Sequence, residues 1–189
     1  MTMAYSPDKI EKIKARFGDA IEEVITERTD VPIFYVKKDK IVEVLGALRT
    51  EEGFEYNFLA DLTAYDDNPP INDIPDYGLG VVKQGGGDHR FVIVYQLFSF
   101  QHKDRVRLKV RTKEDEAVPS ATPVWKAANW LEREIYDMYG VKFSEHPNLR
   151  RIMLDERWIG HPQRKEYPIK RYQRFQGSLP LESFGLEDK

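Results

Sequence analysis

The densest group of residues able to do chemistry is the run Trp130-Leu131-Glu132-Arg133-Glu134-Ile135-Tyr136-Asp137-Met138-Tyr139-Gly140, followed by His146-Pro147 and Arg150-Arg151. On a helix, Arg133 and Asp137 stand one turn apart and can pair, and Glu134 and Asp137 share a surface. Two neighbouring acids suit proton transfer, and with His146 as a further acid or base they define one reading, a free-standing enzyme. That reading needs a pocket built by those residues within one chain and a strongly perturbed pKa. The plainer reading makes Glu132, Arg133, Glu134 and Asp137 the solvated face of an amphipathic helix, opposite an apolar stripe of Ala127, Leu131, Ile135 and Met138. The residue pattern alone favours the plainer reading.

Composition removes whole classes of chemistry. The chain has 189 residues and no cysteine, so disulfides, thiolate zinc sites, cysteine nucleophiles and ordinary iron–sulfur ligation are excluded within it. Any redox chemistry belongs to a partner. The histidines, His89, His102, His146 and His161, are too far apart in sequence to read as a metal-binding helix. Net charge is -3, from 29 basic and 32 acidic residues, which argues against a nucleic-acid footprint for the chain as a whole. From Arg150 to Arg174, however, basic residues outnumber the acids Asp155, Glu156 and Glu166. A nucleic-acid reading would use this basic tail with Trp158, Tyr167 and Tyr172, against the acidic overall balance. No apolar run approaches the roughly 20 residues of a membrane-spanning helix. Met1 to Ile10 lacks a basic start followed by an apolar stretch, so no secretory signal is expected.

The elements that must position these residues follow from periodicity. Ser6-Pro7 reads as an N-cap with proline at the first helical position, and Ile10, Ile13 and Phe17 recur at helical spacing up to Gly18. The stretches 20–28 and 32–38 are rich in Val, Ile, Phe, Tyr and Thr and predict two strands, with Thr29-Asp30 as the turn between them. Asp39 is placed to cap a helix whose Ile41, Val44, Leu45 and Leu48 form one apolar stripe. Residues 54–65, 89–100 and 105–111 predict three further strands, the middle one apolar enough to be buried on both faces. Between the first two, 66–88 is punctuated by Pro69, Pro70, Pro75 and Gly85 to Gly87 and reads as a long surface loop. No Gly-Lys-Ser/Thr follows the glycines, so they form no phosphate cradle. Thr122-Pro123 repeats the cap-plus-proline start for a helix that ends at Gly140. The expected fold is α+β: a mixed sheet of four or five strands flanked by helices near 7–17, 40–51 and 123–139, forming a core domain over 1–140. Prolines 147, 162, 168 and 180 break up 141–189, which nevertheless keeps Ile152, Met153, Trp158, Ile159 and Phe175. Such a segment predicts an extended tail lying on a partner.

Two blocks carry a resemblance. The Glu132-Arg133-Glu134 triplet, Asp137, His146-Pro147 and Arg150 before Ile152 and Met153 resemble the signature of the C subunit family of respiratory complex I, the 30-kilodalton subunit of mitochondria. Gly160-His161-Pro162-Gln163-Arg164-Lys165-Glu166-Tyr167-Pro168 is similar to the family's Gly-His-Pro-Leu-Arg-Lys-Asp-Tyr-Pro, with Gln163 for leucine and Glu166 for aspartate. The resemblance implies a structural subunit without a cofactor of its own. Such a subunit would sit in the peripheral arm of a proton-pumping NADH:quinone oxidoreductase, on the cytoplasmic side of the inner membrane, and support assembly and electron transfer. Flavin mononucleotide, iron–sulfur clusters and quinone then belong to partner subunits. The implied neighbours are the hydrogenase-large-subunit-like D subunit and the B and I subunits. Arg133, Arg150, Arg151, Arg164 and Lys165 would be interface forks for partner carboxylates. The alternative is the equivalent subunit of a ferredoxin-, F420- or hydrogenase-linked membrane complex. The fuller Gly-His-Pro block favours the NADH enzyme.

Overall fold

The computed structural model describes residues 7–68, 89–168 and 173. The chain begins with helix α1 (Pro7–Phe17), strands β1 (Ile21–Ile25) and β2 (Ile33–Val36), and helix α2 (Ile41–Thr50). Strands β3 (Phe58–Asp66), β4 (Phe91–Ser99) and β5 (Asp104–Thr112) follow, then β6 (Val118–Pro119), helix α3 (Ala128–Tyr139) and β7 (Phe143–Ser144). Five strands form one mixed sheet in the order β1-β2-β5-β4-β3, and β6 and β7 form a small parallel pair. Only the β2–β5 seam of the large sheet is parallel. The α+β class and the mixed sheet are as the periodicity predicts.

The pleat decides what each face holds. On β5, Val106, Leu108 and Val110 are fully buried, while the residues between them point to the opposite face. On β4, Phe91, Ile93, Tyr95 and Leu97 enter the main core, and Val92 and Val94 enter a smaller cluster with Ile33 and Tyr35. This strand is buried on both faces, as expected. The main core receives Ile10, Ile13 and Phe17 from α1, the Ile41, Val44, Leu45 and Leu48 stripe from α2, and Ala128 and Ile135 from α3. All three helices therefore cover one face of the sheet.

Several local expectations are corrected. Asp39 lies inside a 3-10 turn (Lys38–Lys40), and α2 starts without a side-chain cap. Thr122-Pro123 does not open α3: residues 121–128 make turns through Val124 and Trp125 N–H to the Ala121 carbonyl, and the helix begins at Ala128. The buried stripe of α3 is shifted accordingly, with Ala127 exposed and Ala128, Glu132 and Ile135 inside. Val141 and Phe143 belong to the main core and β7 pairs with β6, so packing continues past Gly140. Most of the expected 66–88 loop, Ser6, and the tail beyond Pro168 apart from Gln173 lie outside the described residues.

Leu45 has no exposed surface and sits where α2 meets the sheet. Leu45→Ala should lower the unfolding free energy by about 3 kcal/mol, the transfer and cavity cost of a buried leucine. Urea unfolding checks this, with a lowered midpoint and an unchanged slope expected.

Candidate functional site

The site is built on α3 and the chain that returns to it. Its carboxylates are not a solvated face: Glu132 and Asp137 have no exposed surface, Arg133 is 7 % exposed, and only Glu134 of the four faces solvent. The expected Arg133–Asp137 pair does not form. Instead Asp137 Oδ2 accepts three backbone N–H groups, from Ile152 at 3.1 Å, Met153 at 2.8 Å and Leu154 at 3.0 Å. Arg151 donates to Asp137 Oδ1 at 2.6 Å and also reaches the carbonyls of Trp158 and Gly160. Arg133 donates to the carbonyls of Arg150 and Arg151 at 3.0 and 3.2 Å, with its guanidinium 5.1 Å from the Trp130 ring centroid. Burial pushes the Asp137 carboxyl up, but Arg151 and the three backbone donors outweigh it, and the net shift is downward. Asp137 is thus an anion that folds residues 150–154 around itself.

The second block closes the end of the same helix. The final carbonyls of a helix lack intrahelical partners, and here the tail supplies them. His161 Nδ1–H donates to the Asp137 carbonyl at 2.9 Å, Gln163 N–H to Met138 at 3.1 Å and Arg164 Nε–H to Tyr139 at 2.6 Å. A cation at this negative end of the helix dipole is favourable. Gly140 makes the approach possible. Its φ is 79°, and an added Cβ would lie 2.6 Å from both the His161 ring and Arg164. Gly160 has φ 86° and lies against the Tyr167 ring. Tyr167 in turn accepts from Gln173 at 2.8 Å, and Pro162 is half-buried.

Charges at one end of the sheet, beside the Asp66, Phe91 and Thr112 ends of β3, β4 and β5, complete the fastening. Arg164 reaches Glu114 at 2.6 Å, and Arg90 bridges Glu114, Glu166 and Asp66. Lys165 N–H donates to Asp66 Oδ2 at 3.1 Å, and its ammonium to the Asn68 carbonyl. Arg133, Arg151, Arg164 and Lys165, expected as forks for other chains, have partners in their own; Arg150 is exposed. Reasoning from local sequence missed Arg90, Glu114 and Asp66, because nothing in their neighbourhoods marks charges at strand ends as partners of a distant tail.

On the inner side of α3, Glu132 accepts from Ser120 Oγ–H and Ala121 N–H, both at 2.6 Å. Burial pushes its carboxyl up to about 7, against the opposing pull of these two donors. The Tyr95 hydroxyl, fully buried, is raised by burial and then by Glu132. His146 lies 3.8 Å from Glu132, but its Nε2–H serves the Asn129 carbonyl and its Nδ1 accepts Asn148 N–H. Burial lowers the His146 pKa, as it does that of His161. Pro147, beside His146, is exposed. His89 pairs with Asp67 at 2.9 Å and His102 with Glu55 at 2.5 Å. Among the described residues no three metal-ligating side chains gather.

Comparison with known proteins places this arrangement. The family described as respiratory-chain NADH dehydrogenase, 30 Kd subunit, matches residues 34–173. The C subunit of NADH-quinone oxidoreductase from Citrifermentans bemidjiense is 41% identical over 169 residues, 89% of this chain and 92% of that protein. A protein of Ectopseudomonas mendocina, named as the C/D subunit of NADH-quinone oxidoreductase, is 35% identical over 96% of this chain and 29% of its own length. Among solved structures, a chain of the archaeal membrane-bound sulfane sulfur reductase shares the fold, with a TM-score of 0.58 and 21% identity, covering 90% of this chain and 95% of that one. The chain belongs to the 30-kilodalton subunit family of respiratory-chain NADH dehydrogenase.

Two substitutions test the two carboxyls. Asp137→Ala should destabilise by about 2–3 kcal/mol, through the donors it leaves unpaired. Hydrogen exchange should show the Ile152, Met153 and Leu154 amides losing protection ahead of the sheet. Glu132 behaves in the opposite sense, because its folded pKa is raised above the ordinary 4.5. Between that value and about 7 the folded chain keeps a proton that the unfolded chain has released, so stability falls as pH rises through this window. Glu132→Gln removes the titration. Urea unfolding should show the variant gaining on the parent from pH 5 to pH 8, on the order of 2 kcal/mol. An equal difference at both pH values would show that Glu132 does not titrate there.

Proposed function

We propose that the chain works as the C subunit of a proton-translocating NADH-quinone oxidoreductase, a non-catalytic structural component of the water-exposed arm. It holds no cofactor; flavin mononucleotide, iron–sulfur clusters and quinone are handled by its partners. The observation that carries this reading is the family match over 34–173, which takes in the large sheet from β2 onward, α3 and both motif blocks. The state of the site supports a structural role. The carboxyl oxygens of Glu132 and Asp137 are engaged by donors of this chain, and the His146 and His161 rings by its carbonyls. Groups held in this way serve packing before proton transfer.

The neighbour that best fits is the D subunit, because a relative carries both C and D in its name as one chain. The B and I subunits are the further partners of this reading, which puts the chain at the cytoplasmic face of the inner membrane. Among the described residues no helix is long and apolar enough to cross a membrane. The docking surface runs over α3 and the chain after it, where Trp130, Met153 and Ile159 are 64–66% exposed. Large apolar groups left in water at such positions mark a protein interface. Arg150 is an exposed cation of the same region. The equivalent subunit of a ferredoxin-, F420- or hydrogenase-linked complex is the second reading, favoured by the shared fold with the archaeal respiratory assembly.

The test is purification of the oxidoreductase through a tag on this full-length chain, with identification of the chains that come with it. The B, D and I subunits together with an NADH-oxidising flavoprotein are expected. The variant Trp130→Asp/Met153→Asp/Ile159→Asp should lose the D subunit and most NADH:quinone activity, while the lone chain unfolds at a temperature close to the parent's. Normal assembly with full activity would remove the docking surface from this face. Co-purifying hydrogenase-type chains without an NADH-oxidising partner would replace the first reading by the second.

A further inference from the structure

The sheet has a second face, which the helices do not cover. On β5 the residues Arg105, Arg107, Lys109 and Arg111 alternate with the core residues Val106, Leu108 and Val110, so four cations stand in a row on the helix-free side. Successive members of such a row lie about 6.6 Å apart. They rest on the smaller cluster of Ile33, Tyr35, Val92 and Val94. The Lys109 ammonium is 5.6 Å from the Tyr35 ring centroid and 5.2 Å from that of Tyr65, and it donates to the Tyr65 hydroxyl at 3.3 Å. The Arg111 guanidinium stacks 3.7 Å over Tyr35. Aromatic rings thus hold the long stems on an apolar floor and fix the charged ends in a line.

The row is only partly neutralised. Arg111 has Glu23 at 2.6 Å and Glu22 at 3.5 Å, both from the β1 edge. Arg107 donates to Gln96 at 3.1 Å and has Asp30 no nearer than 3.6 Å. Among the described residues Arg105 and Lys109 form no ion pair. Arg105 instead lies 5.7 Å from the ring centroid of Phe98. Phe98 lies 5.0 Å from Phe100, and Phe100 5.4 Å from Phe58, between ring centroids. Phe100 is 61% exposed and Phe58 45%. One end of the cation row therefore carries an uncovered apolar anchor.

We infer that this face is a second docking surface, and that its occupant is an acidic polypeptide segment with a large apolar residue at one end. An extended segment with carboxylates at alternate residues repeats at the same distance as the row on β5, and its apolar end fits the Phe58–Phe100 group. The acids Glu22, Glu23 and Asp30 lie along the β1 side of the row. They would repel a uniformly charged phosphate backbone and leave room for a polypeptide whose charges are spaced. This surface lies on the opposite side of the sheet from α3 and does not depend on which assembly the α3 face joins.

The test uses the full-length chain and a labelled peptide of sequence Phe-Glu-Ser-Glu-Ser-Glu-Ser-Glu, followed by fluorescence anisotropy at low salt. Arg105→Glu/Lys109→Glu should weaken binding roughly tenfold or more. Phe58→Ser/Phe100→Ser, which leaves charge unchanged, should weaken it several-fold. Lys12→Glu/Lys14→Glu, on the exposed side of α1, should leave it as it was. Equal losses in the α1 variant would reduce the effect to overall charge and overturn the proposal. So would oligothymidine binding more tightly than the peptide and being lost in the β5 variant, since the face would then be a nucleic-acid surface. In the complex purified through this chain, carbodiimide coupling should join Lys109 to an Asp or Glu of another polypeptide; coupling only within this chain would also overturn it.

Discussion

The carbonyls at the end of α3 have no acceptable partner inside the helix, and the rest of the C-terminal half is organised by how they find one. His161, Gln163 and Arg164 return to Asp137, Met138 and Tyr139, across a gap that only a glycine at 140 leaves open. Once the tail is there, Arg164 and Lys165 stand beside Glu114, Asp66 and Asn68, so the closure of one helix end also ties the tail to the ends of β3 and β5. A cation at a helix C-terminus gains from the dipole, and hydrogen bonds to charged groups are stronger than neutral ones. The two motif blocks are therefore two halves of one joint.

Within that joint, two carboxyls five residues apart have opposite fates. Both are fully buried. Asp137 meets a guanidinium and three backbone donors, which hold its carboxyl below the ordinary range, whereas Glu132 meets a hydroxyl and one backbone N–H beside the apolar core and has its carboxyl pushed up to about 7. Burial raises both carboxyls; at Asp137 a guanidinium and three backbone donors outweigh it, and at Glu132 two neutral donors do not. The Asp137 side fastens a loop, and the Glu132 side packs against the core.

The regular part of the fold was legible because its periods are clean. Ile41, Val44, Leu45 and Leu48 mark α2, and the alternation of Val106, Leu108 and Val110 with charges marks β5. Helix starts were less legible. Thr122-Pro123 has the right chemistry for an N-cap, but Ser120 and Ala121 are committed to Glu132 and the chain turns twice before α3 begins. The burial of Glu132, Arg133 and Asp137 was hidden, since a stripe rule assigns charged residues to solvent and sees neither Ser120 and Ala121 before the helix nor residues 150–154 returning to it. The motif residues themselves could be picked out; their partners, set by tertiary approach, could not.

The parallel seam between β2 and β5 bears on how the chain folds. β3, β4 and β5 are successive antiparallel neighbours, while β2 must wait for α2, β3 and β4 before β5 exists to pair with it. Closing a loop costs more entropy the longer it is, and contacts of high sequence separation slow folding. Within the sheet the β2–β5 seam is therefore the pairing that spans the most chain. Until β5 is in place, the side of β2 away from β1 has no strand to pair with.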